Sequence, residues 1–191
     1  MAKRIYLAGP EVFLLEAAAL YDAKKEICRQ HDFEAVSPLD DLPALDTLSK
    51  IEAGQRISAA NESKMKTCDL LVANLTPFRS PSLDVGTAYE LGFMRALRKP
   101  VLGYANVDAK FQQRTIDFLN GQVAPRHNTD VMEDRAGMLI EDFEMVDNLM
   151  IDGAVLASGA QVVIVSTLPE RRFVDLDGFR QCMEMAKRLL V

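Results

Sequence analysis

Two carboxylates stand six residues apart in the stretch "SPSLDVGTAYELGFMRALRKPVLGY", which runs from Ser80 to Tyr104. If Asp84 caps a helix, that helix runs to about Arg98 and stops at Lys99-Pro100, since the residue before a proline is steered away from helical backbone. On it, the residues three and four positions from Glu90 are Gly86, Thr87, Phe93 and Met94. None is basic, so the usual local ion-pair partner is missing. A carboxylate on a mostly apolar helix, beside small residues, has room next to it for a ligand. Six helical residues set Asp84 and Glu90 roughly 9 Å apart along the axis, comparable with a pentose and its substituents. They could form a catalytic pair. Asp84 could equally be a plain N-cap, although Thr87 does not complete a capping box, and Glu90 could face solvent or meet a distant arginine.

Other chain positions add groups of the same kind. Gly9 and Pro10 would let backbone approach a ligand closely, and Asp40 and Asp41 follow the second expected strand. Tyr6 could present its hydroxyl to a carboxylate and orient it, or simply fill the core. "AGP" is not a dinucleotide fingerprint, and there is no phosphate-binding G-x-x-x-x-G-K-[ST] loop. Only two histidines are present, and the three cysteines (Cys28, Cys68, Cys182) lie far apart outside any metal-ligand spacing. Neither a metal nor another cofactor is expected.

Positioning these groups falls to an alternation of short elements. "RIYLA" (4–8) is a strand ended by Gly-Pro, and 13–32 is rich in helix formers. "FEAVS" (33–37) is a second strand, and a helix is expected from about Leu48 to Lys66. "DLLVANL" (69–75) is a continuous apolar run of the sort that fills a buried parallel strand. The Glu90 helix and "PVLGYA" (100–105) follow. Such alternation implies an α/β fold, with an open, mostly parallel sheet and helices on both faces. Ligands bind such sheets at the carboxyl ends of the strands, where "AGPEVF", "PLDD" and "LTPFRSPSLD" all lie. Beyond 106 the pattern is less regular: a helix within 108–121, a loop over 122–137, a helix over 138–155, a strand at 161–165 and a closing helix over 175–190. With no repeat and no low-complexity stretch, 191 residues are expected to form one domain over 1–191.

Composition narrows the partners. A formal charge of −6 without a basic cluster larger than "ERR" argues against nucleic acid, and favours a small ligand. No apolar run reaches transmembrane length and the N-terminus lacks a signal-peptide core, so a cytoplasmic protein with free thiols and no membrane contact is expected.

Three segments, "RIYLAGPEVF", "CDLLVANLTPFRSPSLDVGTAYELGFMRALRKPVL" and "DNLMI", together resemble the nucleoside 2-deoxyribosyltransferases over about residues 4–153. The middle segment is the specific one, with its acidic residue, "VG", three residues and "ELG" after an "LTPFR" loop. The resemblance implies a flavodoxin-like, doubly wound sheet. It also implies an enzyme that cleaves the N-glycosidic bond of a 2′-deoxynucleoside and passes the sugar to a free nucleobase by a ping-pong route. Glu90 matches the glutamate that forms a covalent deoxyribosyl intermediate. Asp84 matches an aspartate that helps bind sugar or base, and Tyr6 the tyrosine that orients the nucleophile. Asn148 matches an asparagine that enters the neighbouring subunit's site, implying a homo-oligomer with a shared active site.

Where some members carry a proton-donating aspartate, this chain has Asn61, which cannot act as an acid. Asn61 is kept as a substrate contact, together with Gly9, Pro10, Asp40 and Asn148. The general acid is left among Asp84, Asp40, Asp41 and water. The alternative activity is N-glycoside hydrolysis of 2′-deoxynucleosides or their 5′-monophosphates. Against the phosphates, Glu11 is expected close to where a 5′-phosphate would sit.

Overall fold

The structure, a computed structural model, describes residues 2–190. Its elements are β1 (Lys3–Ala8), α1 (Ala17–Gln30), β2 (Phe33–Val36), α2 (Lys50–Thr67), β3 (Leu70–Asn74), α3 (Val85–Ala96) and β4 (Val101–Ala105). After them come α4 (Phe111–Phe118), β5 (Val123–Pro125), β6 (Met132–Asp134), α5 (Leu149–Leu156), β7 (Val163–Ile164) and α6 (Asp177–Leu190). A five-stranded parallel sheet runs in the order β2-β1-β3-β4-β7. Helices α1 and α6 pack on one face, and α2, α3 and α5 on the other. This is the doubly wound, flavodoxin-like arrangement, in which the strand order reverses between β1 and β3.

Burial explains the strands. Every residue of β3 and β4 is buried, as a strand covered on both faces by helices requires. Leu70, Leu71 and Leu102 are wholly inaccessible, each such side chain stabilising the fold by about 1.5–3 kcal/mol. Helix α2 starts at Lys50 because Ser49 and Glu52 form a reciprocal capping box. Helix α1 starts at Ala17, four residues later than the composition suggests. Pro10–Phe13 instead form a 3-10 turn, and Leu14 behind them is extended.

Two expectations past residue 106 are corrected. The span 122–137 holds a small antiparallel hairpin, in which Val123–Pro125 pairs with Met132–Asp134. The expected helix over 138–155 survives only from Leu149. Asp147 is turned inward, where its carboxylate accepts from Ser82 Oγ and Leu83 N and pairs with Arg114 Nη2 at 3.1 Å. Glu144 takes a left-handed φ of 56°, and Asn148 Oδ1 then caps Met150 N at 3.1 Å. Asn148 has a non-helical ψ of 143°, and the backbone N–H groups of Val146 and Asp147 donate to the Asp152 carboxylate instead of to a preceding helical turn. Among the described residues, no helix is long and apolar enough to cross a membrane.

Candidate active site

The chain leaves β1 at Gly9 and enters α3 after β3, so both segments meet at the switch point of the sheet. Asp84 caps α3: its Oδ2 accepts from Thr87 N at 3.0 Å and from the Thr87 hydroxyl at 3.2 Å. Its place is fixed from behind, because Asp147 holds the preceding residues Ser82 and Leu83. Glu90 lies on the second turn, and Tyr6 Oη, rising from β1, donates to its Oε1 at 2.7 Å.

Two adjoining concavities open onto Glu90. One, of about 330 Å³, lies between the loop after β1 (Gly9, Val12, Phe13), the loop after β2 (Pro38, Leu39, Leu42) and the start of α3 (Asp84, Gly86, Thr87). The other, of about 360 Å³, lies between α2 and α3 and adds Ser58, Glu62 and Tyr89. Ile57, Asn61, Gly86 and Glu90 line both. Gly86, one turn before Glu90, leaves the helix surface open beside the carboxylate.

Burial raises the Glu90 carboxyl, the nearby Asp84 charge adds to this, and the Tyr6 hydrogen bond opposes them; the outcome is a pKa of about 7. No cation among the described residues pairs with it. Because the folded-state value lies above the ordinary 4.5, the folded chain holds this proton more tightly than the unfolded one. The stability from Glu90 is therefore fully present below about pH 4.5 and is lost as pH rises through about 7. Tyr6→Phe removes the one group that favours the charged form. It is expected to move the ionisation of Glu90 upward by roughly one pH unit, and the rising limb of a pH–rate profile with it. An unmoved limb would show that the phenol does not tune this carboxylate.

The sequence-stated candidates divide. Tyr6, Gly9, Asn61, Asp84 and Glu90 gather around the concavities. Pro10 is buried as the first residue of the 3-10 turn behind Gly9. Asp40 turns away: its carboxylate meets Lys25 and accepts from Ser37 N and Oγ at 2.9 Å, and with Asp41 it lines a separate concavity beside Arg4 and Lys64. Lys25 and Ser37 hold its pKa below the usual carboxylate value, against the effect of burial. Asn148 caps α5 and donates to Glu141 Oε2 at 2.7 Å, apart from this chain's own cleft.

Glu11 is a correction. It is wholly buried, pairs with the equally buried Lys24, and accepts from Asn74 Nδ2 at 2.8 Å and Tyr104 Oη at 3.0 Å. It lies under the cleft floor and faces no ligand. Its Oε2 would stand 1.9 Å from a Cβ added at Gly9, so space is what requires glycine there. Arg79 lays its guanidinium over the Phe78 and Phe13 rings, 4.5 and 5.2 Å from their centroids.

Residues missed from the sequence are chiefly the apolar walls, Phe13, Leu39, Leu42 and Ile57. Scattered across three elements, they carry no motif. Asp147 could have been found, since it opens the "DNLMI" segment. Among the described residues, no three His, Cys, Asp or Glu side chains converge to hold a metal. The arrangement can do nucleophilic chemistry: an ionisable carboxylate, held by one phenol and paired with no cation among the described residues, opens on a partly apolar cleft.

A family model described as nucleoside 2-deoxyribosyltransferase matches residues 5–150. An uncharacterized protein of Schizosaccharomyces pombe is 29% identical over 175 residues, covering 87% of this chain and 83% of its own. Among solved structures, a 2-desoxiribosyltransferase from Leishmania mexicana superposes with a TM-score of 0.60 at 26% identity, over 90% of this chain and 94% of its own. A conserved protein from Enterococcus faecalis V583 shares the fold, with a TM-score of 0.56 at 18% identity over 97% and 99% of the two chains.

Proposed function

The chain belongs to the nucleoside 2-deoxyribosyltransferase family, and from that membership we propose that it moves 2-deoxyribose between nucleobases through a covalent intermediate on Glu90. The observation that carries the reading is the Glu90 carboxylate itself, oriented by Tyr6, unpaired with any cation among the described residues and open to the cleft beside Gly86. In the first half-reaction a Glu90 oxygen attacks C1′ of the sugar. The C1′–N bond breaks, its electron pair goes to the departing base, and the base takes up a proton. In the second, a ring nitrogen of another base attacks C1′ from the opposite face and loses its proton. The ester bond to Glu90 breaks and the carboxylate returns. Two inversions restore the starting configuration.

Asp84 lies in the same cleft and takes the role of sugar contact. The proton for the leaving base comes from Asp84 or a water, since Asp40 and Asp41 line a different concavity. Phe13, Leu39 and Leu42 suit a flat heteroaromatic base. The cleft walls carry Glu62, Asp84 and Glu90 and, among the described residues, neither lysine nor arginine. A 5′-phosphate would meet like charge there, which favours nucleosides over nucleotides. The buried free thiols of Cys28, Cys68 and Cys182 suit a reducing, cytoplasmic setting.

We read the whole of 1–191 as one catalytic domain that works as a homo-oligomer, with Asn148 entering the neighbouring cleft. Supporting this, Val85 and Tyr89 on α3 and Met150 and Leu156 on α5 are exposed apolar side chains on two helices that pack together. Product analysis after incubation with deoxyinosine, with and without adenine, tests the activity. Deoxyadenosine formed only when adenine is present is the expected result. Free deoxyribose in both cases, with no new nucleoside, would mean that water completes the second step and the protein is a hydrolase.

A further inference from the structure

Arg79 takes no part in the chemistry proposed above, yet its backbone is strained to place it. Its φ of 56° lies in the left-handed region, which few residues other than glycine adopt. The loop before α3 enforces that conformation. Phe78 N donates to Ser82 O at 3.0 Å, and Ser80 Oγ accepts from Ser82 N and donates to Ser82 O. Ser82 and Leu83 are in turn tied to the buried Asp147. The Arg79 side chain is exposed and, among the described residues, makes no ion pair. What the strained backbone secures is a place for the guanidinium over two rings, 4.5 Å from the centroid of Phe78 and 5.2 Å from that of Phe13.

Phe13 needs such support. It ends the 3-10 turn after β1 and is 56% exposed, so burial does not fix its ring. Stacking does. The Phe13 and Phe78 centroids are 5.2 Å apart with their planes 8° from parallel, and Phe173 braces Phe78 edge-on at 6.1 Å. Among the described residues, Phe13 is the one aromatic side chain lining the apolar concavity beside Glu90; Phe78 and Arg79 stand behind it. A flat ligand therefore finds its aromatic wall on a mostly exposed loop residue. A ring free to leave that position would have to be ordered at each binding event, and a ring already held there spares the ligand that cost.

We propose that Arg79 is a positioning residue for the base: it clamps Phe13 against Phe78 and so presets the aromatic wall of the cleft. The proposal rests on the glycosyl-transfer reading for taking this concavity as the place of the base, and adds the residue that prepares it. Because the clamp acts through a ring face, it serves any flat heteroaromatic base, whatever its exocyclic groups. Binding of free adenine and free hypoxanthine, measured by calorimetry, tests it without requiring turnover. Arg79→Gly removes the guanidinium and suits the left-handed φ, so the loop keeps its path. It should weaken both bases alike, by roughly three- to tenfold. Arg79→Lys keeps the charge without the planar stacking group and should recover part of the loss. Phe13→Leu should itself weaken both bases, and adding Arg79→Gly to it should cost nothing further. An undiminished effect of Arg79→Gly in the Phe13→Leu protein would mean that the guanidinium touches the ligand itself, and would overturn the clamp. So would a loss confined to one base, or no loss at all. Wild-type protein that binds neither base would overturn the clamp and the glycosyl-transfer reading together. Clamp-like binding without turnover of any deoxynucleoside would support the clamp and refute transfer, whereas turnover with base affinity indifferent to Arg79 would refute the clamp alone.

Discussion

Glutamine in place of Glu90 is expected to lower turnover of a 2′-deoxynucleoside by roughly a thousandfold or more while the protein stays folded. An amide has nearly the same shape and still accepts from Tyr6 Oη, so binding of nucleoside and base should persist. It cannot form the ester to C1′, and that is the loss the rate reports. A second signature separates this role from a merely structural one. Glutamine does not titrate, so the decline in stability between about pH 4.5 and 7 that Glu90 causes should disappear in the variant. Turnover within a few fold of wild type would remove Glu90 from the chemistry, whatever the stability data showed.

Lys24→Met should have the largest effect on stability. Lys24 and Glu11 are both fully buried, and removing the cation strands a carboxylate under the cleft floor. Breaking such a pair from one side costs about 3–5 kcal/mol. In a chain of this size that lowers the melting temperature by roughly 10 °C. Glu11→Gln combined with Lys24→Met should recover part of the loss, since the amide needs no counter-charge and can still accept from Asn74 and Tyr104. A double variant as unstable as Lys24→Met alone would mean that packing of the lysine stem, and not its charge, holds this region. The pair also underlies Gly9, so a milder fall in substrate affinity is expected alongside.

The sheet was legible because its physics is local. Runs such as "LLVAN" and "VLGYA" are apolar without alternation, and only a strand covered on both faces has a use for that. The Glu90 helix was legible for the same reason, with its cap at Asp84 and its stop before Pro100 both readable from neighbouring residues. The segment after 106 was not. Its strands are two or three residues long, too short for any period, and the inward turn at Asp147 depends on Arg114 and Ser82, both distant along the chain.

The candidate site divided along the same line. Tyr6, Asp84, Asn61 and Glu90 meet because each lies on or caps a regular element at the switch point of the sheet. Glu11 and Asp40 sit on loops, and where a loop carboxylate points depends on which cation is within reach. For both, that cation comes from α1, Lys24 for one and Lys25 for the other. Charged residues are rarely buried unless paired, so a reading that cannot see the partner places them at the surface.

Mass spectrometry of the protein quenched during turnover of deoxyadenosine addresses the nucleophile most directly. The expected result is one deoxyribosyl group carried on the peptide containing Glu90, lost when adenine is added and absent in Glu90→Gln. Steady turnover with the sugar on a different residue, or with no adduct under conditions that preserve such esters, would contradict a covalent route through Glu90.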